Sequence, residues 1–159
     1  NVNKDAVNLK EVMCLKAKVS QVKELEANCG VSYGLKYKSD KQSQIATLPI
    51  GYADGYTRML SGKAKVMING NKTSIIGNIC MDQCIIDVTN INAKVGDEVV
   101  LFGGNNTNGI TIDSIAETLN TINYEIVCMV DKRVPRVYIQ DEKTLDIKDY
   151  VLILSNKKS

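Results

Sequence analysis

The sequence predicts a mainly β domain, an antiparallel, Greek-key-like β-barrel with one short helix near residues 113–120. Three observations lead there. Apolar and polar residues alternate in several short runs, the period of a half-buried strand. Clusters of Gly, Asn and Asp separate those runs at short intervals, as turns do. Only one segment repeats its apolar residues at helical spacing, and many short strands with a single helix favour a barrel or sandwich.

Taken in order, the first strand is MCLKAKVSQV, where Met13, Leu15, Ala17 and Val19 face one way and Lys16, Lys18 and Ser20 the other. In EANCGVSYGLKY, Gly30 and Gly34 bracket Val31, Ser32 and Tyr33. SQIATLPI reads as a strand that runs into the turn-rich stretch LPIGYADGYTR, residues 48–58. KAKVMINGNKTSIIG reads as a β-hairpin, because Asn69-Gly70 accepts the left-handed conformations of a tight turn. CIIDV and EVVLFG follow as short strands, and GGNNTNG as a loop. The helical segment is ITIDSIAETLN, with Ile112, Ile115, Ala116 and Leu119 on one face and Asp113 the expected N-cap. YEIVCMV, RVYI and DYVLIL read as further strands, and residues 156–159 as a frayed tail.

Composition narrows the class of protein. At 159 residues the chain is one domain able to bury its own core, and 44% apolar with 24% charged residues is ordinary for a globular protein. A net charge of +2 leaves no electrostatic footprint for nucleic acid; the densest basic run, DKRVPR, carries an acid of its own. No apolar run approaches the roughly 18 residues of a membrane span, and no signal peptide is visible. The cysteines (Cys14, Cys29, Cys80, Cys84 and Cys128) are odd in number and scattered, which suits free thiols in a reducing, cytoplasmic setting. The CMDQC pair invites a metal reading, but the chain has no histidine, so small buried thiols are the expectation and no metal is. Acid–base chemistry here must therefore use Tyr, Lys, Cys or a carboxylate. The start at Asn1 without a methionine suggests a piece of a longer protein.

No phosphate-binding glycine loop, nucleophile elbow or metal spacing is present. What stands out is a series of side chains at strand ends and turns, where functional groups tend to collect. These are Tyr33 in VSYG, Tyr52 and Asp54 in PIGYADG, Met81 and Asp82 in NICMDQ, Tyr124 in TINYE, and Arg133 and Arg136 in RVPR. Each also has a structural reading: a tyrosine at a rim with a wet hydroxyl, an aspartate closing a turn.

Taken together and in this order, those motifs closely resemble the C-terminal domain of alanine racemase, from about Met13 to Tyr138. The resemblance implies a pyridoxal-phosphate enzyme that pairs an N-terminal (β/α) barrel with a C-terminal β domain. It also implies a head-to-tail homodimer whose active sites are shared between subunits. On that footing residues 1–12 are the end of the barrel or a linker, and residues 13–155 the C-terminal β domain. The domain's partners would be the N-terminal barrel, which holds the cofactor, a second copy of the enzyme, and a small amino-acid substrate; no nucleic acid or membrane is implied.

The implied chemistry is exchange of the α-proton between the two faces of alanine, supplying D-alanine for peptidoglycan. A barrel lysine serves one face and the tyrosine matching Tyr33 serves the other, from the partner subunit. A free phenol titrates near pKa ~10, so such a base needs nearby cations or donors. By the same resemblance Tyr52 and Asp54 line the channel to the cofactor, with Ile122 close to the pocket. The backbone N–H of Met81 meets the substrate carboxylate, and Asp82 shapes the channel mouth. Tyr124 touches the cofactor phosphate. Relatives that favour serine tend to carry Asn at that position, so Tyr124 points to alanine. Asn78 departs from the family, which often has arginine there. Arg133 and Arg136 receive no role beyond interface or ion-pair groups. The alternatives are a serine or broad-specificity racemase domain, and a free-standing β-barrel that only binds or dimerises. The fragment alone is expected to be inactive, because the cofactor lysine is not in it.

Overall fold

The computed structural model describes residues 11–104 and 109–151. Leu15–Lys18 forms β1 and Gln21–Leu25 forms β2, and their alternating burial follows the expected faces: Leu15 and Val19 are buried, Lys16 and Lys18 exposed. A short hairpin pairs β3 (Gly30–Val31) with β4 (Tyr37–Lys38) around a 3₁₀ turn at Tyr33–Leu35. Then come β5 (Ser43–Leu48), β6 (Lys65–Ile68), β7 (Asn71–Ile76), β8 (Cys84–Asp87) and β9 (Glu98–Phe102).

Seven of these strands, all but β3 and β4, form one antiparallel sheet in the order β1-β9-β6-β7-β8-β5-β2. Its two ends belong to a single ribbon. Val19 exchanges backbone hydrogen bonds with the loop before β9 (Val19 N to Asp97 O, Gly96 N to Val19 O), while Ser20 N donates to Thr47 O of β5. The ribbon thus passes from one edge of the sheet to the other, and the sheet closes on itself, removing the exposed edges of an open sheet. Strands β6, β7 and β8 run as a meander, with β5 returning beside β8 through a long connection to β6, a Greek key. The hairpin turn is Asn69-Gly70 as expected, with both residues left-handed (φ 47° and 75°), and Asn69 Nδ2 ties it to Asp97 Oδ2 at 2.8 Å.

The core fills the barrel with side chains from alternating positions, among them Leu48, Val66, Ile68, Ile86, Val99 and Leu101. One end is closed by two helices. Helix α1 (Ile112–Leu119) buries Ile115 and Ala116. Its N-cap is Thr111, whose Oγ1 accepts from Ser114 N at 3.1 Å, so the expected cap at Asp113 falls instead within the first turn. Helix α2 (Asn123–Met129) replaces the strand expected over YEIVCMV. Its buried residue is Ile126, and Val130, the extended residue that ends the helix, is buried too, so the segment packs beside α1 and under the barrel rim. The mainly β, antiparallel fold class stands, with α1 and α2 between β9 and β10 where one helix was expected.

Beyond α2, the expected RVYI strand is β10 (Arg136–Gln140), paired with β11 (Lys143–Lys148) in a separate two-stranded sheet. Of the strand expected over DYVLIL, Tyr150 and Val151 are helical and residues 152–154 lie outside the described residues. So do residues 1–10, most of the expected barrel end, residues 105–108 of the GGNNTNG loop, and the 156–159 tail. Among the described residues no helix is long and apolar enough to cross a membrane.

Candidate functional site

The link from β7 to β8, residues 77–83, is the mount on which two tyrosine-bearing turns are fixed. Ile79 is fully buried and donates its N–H to Ser61 Oγ (2.9 Å), and Cys80 N closes a tight turn onto Gln83 O (2.8 Å). The carbonyls that remain outward are taken by the PIGYADG turn: Tyr52 N donates to Cys80 O and Ala53 N to Met81 O, both at 3.0 Å. This contact explains Gly51, since a Cβ there would sit 2.2 Å from Cys80 O. The turn is completed by Asp54, whose Oδ2 accepts from Gly51 N at 2.8 Å, and by Gly55 in a left-handed conformation.

The Tyr33 turn hangs on the same link. Asn78 Nδ2 donates to Tyr33 O at 2.7 Å, and Ser32 Oγ donates back to Asn78 O at 2.7 Å. Ser32 Oγ also lies 3.6 Å from Cys80 Sγ. Ser32 itself has φ 66° and ψ 176°, a conformation few residues other than glycine adopt. Gly77, also with positive φ, lets the two segments approach: a Cβ there would lie 2.7 Å from Ser32 Cβ.

Between the two turns is an open cleft of ≈ 300 Å³ lined by Tyr33, Tyr52, Arg58, Asn78, Ile79, Cys80 and Met81. Tyr33 is 75% exposed, Tyr52 47% and Met81 52%, so all three present surface to it. The Met81 N–H has no acceptor and the Arg58 side chain no ion-pair partner among the described residues. The cleft thus offers phenols, one free peptide N–H, one guanidinium and an amide. Such a set can hold an anionic group and pass a proton.

The structure therefore brings together three of the residues singled out from sequence: Tyr33, Tyr52 and Met81. Asp54 is not on the cleft wall. It is buried, and its second oxygen pairs with Arg133 Nε at 2.8 Å. Asp82 sits beside Met81 but turns to the Arg133 guanidinium, which bridges the two carboxylates. Those partners, Asp82 first, raise the Arg133 pKa above its usual range. Arg136 caps the end of α2 by donating to the carbonyls of Val130, Asp131 and Val134. Both arginines are thus built into the frame. Ile122 and Tyr124, at the exposed start of α2, do not line the cleft. Tyr56 is buried beneath the turn, with no hydrogen-bond partner for its hydroxyl among the described residues.

Sequence reasoning missed Arg58, Ser32 and Cys80, and saw in Asn78 only a departure from the family. The signals were weak: Arg58 ends the LPIGYADGYTR stretch, and Ser32 immediately precedes Tyr33. No lysine lines the cleft, and no group of three or more Cys, Asp or Glu among the described residues is placed to hold a metal ion.

Comparison with known proteins puts this arrangement in context. Residues 12–138 match the family model for "Alanine racemase, C-terminal domain". The chain is 54% identical over 151 residues to alanine racemase 1 of Clostridium acetobutylicum, covering 94% of this chain and 39% of that protein. It is 52% identical over 152 residues to the alanine racemase of Clostridium novyi, again covering 94% and 39%. Among solved structures, alanine racemase from Clostridium difficile 630 in complex with cycloserine superposes with a TM-score of 0.88 at 44% identity, covering 94% of this chain and 39% of that one. The Bartonella henselae alanine racemase, with covalently bound pyridoxal phosphate, does so with 0.73 at 36% identity, covering 79% and 34%. The chain spans about two fifths of the length of the curated relatives it matches, 39% in each of these two.

Proposed function

The chain belongs to the family of alanine racemase C-terminal domains, and on that premise we propose that it forms one wall of the active site of a pyridoxal-phosphate-dependent alanine racemase. The observation that carries this reading is the convergence of Tyr33, Tyr52, the Met81 N–H and Arg58 on one cleft, with both tyrosine turns fixed to a single backbone link.

The lining residues fit pyridoxal phosphate as one face of its site rather than as its holder. They can meet an anion and pass a proton, but with no lysine they cannot tether an aldehyde. The tether belongs to the rest of a longer protein, the barrel of the same enzyme. When bound, the cofactor supplies the electron sink that makes loss of an α-proton possible at neutral pH. The work of this chain is positional. Tyr33 holds or returns the proton on one face of the α-carbon, and the base for the opposite face lies outside these residues. Arg58, the one cation on the cleft wall, is placed to meet an anionic group of the substrate or cofactor. Met81 N–H donates to the substrate carboxylate, and Tyr52 narrows the approach. Ile122 and Tyr124, away from this cleft, serve the second site that a head-to-tail homodimer creates, with Tyr124 toward the cofactor phosphate and against the larger serine side chain. The product, D-alanine, would serve peptidoglycan synthesis in the cytoplasm.

The test is direct. The full-length parent protein, loaded with pyridoxal phosphate, should interconvert L- and D-alanine much faster than the serine enantiomers, while this chain alone should neither racemise nor retain an absorbing, bound cofactor. Racemase activity or tight cofactor binding by the chain alone, or no alanine racemisation by the parent, would overturn the reading.

A further inference from the structure

We propose that Asn78, acting with Ser32, is the positioning residue for Tyr33: its amide fixes the piece of backbone that carries the phenol, and so sets where that oxygen reaches. The inference rests on Tyr33 being a base, the reading above, and adds how it is aimed.

Four observations carry it. The Tyr33 phenol makes no hydrogen bond of its own among the described residues, so its direction is inherited from the turn. That turn is joined to the barrel by a reciprocal pair, Asn78 Nδ2 to Tyr33 O and Ser32 Oγ to Asn78 O, each at 2.7 Å. Asn78 is 8% exposed whereas Tyr33 is 75% exposed, so the anchor is buried in the frame and the load stands in the cleft. Finally, three of the four residues from Ser32 to Leu35 have positive φ (Ser32 66°, Gly34 74°, Leu35 47°), and Ser32 and Leu35 do so without being glycine. A turn with that conformation persists only where its surroundings over-determine it, and the Asn78–Ser32 pair is the set of bonds that does so. Asparagine suits the task because it donates to a carbonyl without placing a charge beside the phenol. Chains with arginine at this position would have to hold the turn differently.

Asn78→Asp in the full-length enzyme keeps the shape but replaces the donor with an acceptor facing the Tyr33 carbonyl. Ser32→Ala removes the other bond and is the milder change should Asn78→Asp fold poorly. The expected result for Asn78→Asp is a kcat lower by roughly 10- to 100-fold with KM within about twofold of wild type. The loss of α-proton exchange should be concentrated on the substrate face that Tyr33→Phe also silences. Hydrogen exchange over residues 30–38 of the cofactor-free protein should speed up in both variants, with Ser32→Ala showing the same pattern at smaller amplitude. Equal losses on both faces, or unchanged protection of residues 30–38, would overturn the proposal. If Tyr33→Phe itself spares exchange on both faces, the base assignment falls. If Tyr33→Phe silences one face while Asn78→Asp and Ser32→Ala leave it intact, only the positioning role falls.

Discussion

Replacing Gly51 with alanine tests whether backbone contact holds the Tyr52 turn in place. The φ of −150° at Gly51 is open to any residue, so the objection to alanine is steric alone. Its Cβ would lie 2.2 Å from Cys80 O and 2.4 Å from Met81 O. Relief to ordinary van der Waals separation needs the turn and the link to part by about 1 Å. The two bonds that join them, Tyr52 N to Cys80 O and Ala53 N to Met81 O, are 3.0 Å long and would pass out of hydrogen-bonding range. Two such bonds contribute about 1–3 kcal/mol between them. Urea unfolding of the full-length protein should therefore show Gly51→Ala less stable by that amount or more, with an m-value unchanged. Steady-state kinetics should show kcat reduced, because the wall that carries Tyr52 has moved. Stability within about 0.5 kcal/mol of wild type, together with normal kinetics, would refute the reasoning.

Two further outcomes follow from the same packing. Gly55→Ala and Gly70→Ala both force alanine to positive φ, but only at Gly55 would the Cβ strike backbone, 2.0 Å from Met129 O; at Gly70 nothing lies within 4 Å. Thermal or urea unfolding should show about 1–2 kcal/mol lost at Gly70 and more than about 4 kcal/mol at Gly55. The buried Cys84 thiol is pushed up to about 12, chiefly by burial. Iodoacetamide at pH 8 followed by intact mass should therefore leave Cys84 unmodified in the native protein and label it only after unfolding, while exposed Cys29 and Cys128 react at once.

The barrel was legible because its strands carry their burial in their pattern: β1, β6, β8 and β9 each alternate as the side chains do, and Asn69-Gly70 announces its own turn. Helix α2 was not, because YEIVCMV is a short apolar run rich in β-branched residues. Its one buried residue, Ile126, with half-buried Met129 three positions on, is too sparse a pattern to set a helical period in sequence. Strand β11 escaped because its turn places Asp141 and Glu142 at positive φ, without the glycine or asparagine that marks such a turn in sequence. At the cleft, Tyr33, Tyr52 and Met81 stood out in sequence and do project into it, while Arg58 on the same wall did not stand out. Asp54, Asp82 and Arg133 also stood out, but the structure places them in the frame rather than in the cleft, and the frame residues Ser32 and Asn78 read as ordinary polar residues. Asp54 and Arg133 are distant in sequence and meet only through the fold, and nothing in GNICMDQ announces that Asn78 reaches back to Tyr33.

The proposed role of Tyr33 is proton transfer on one face of the substrate only. Its most direct test is α-proton exchange in deuterated solvent by the full-length, cofactor-loaded Tyr33→Phe enzyme, measured separately from L- and from D-alanine. Exchange from one enantiomer should be nearly abolished while exchange from the other persists. Equal loss from both enantiomers, or no loss from either, would contradict it.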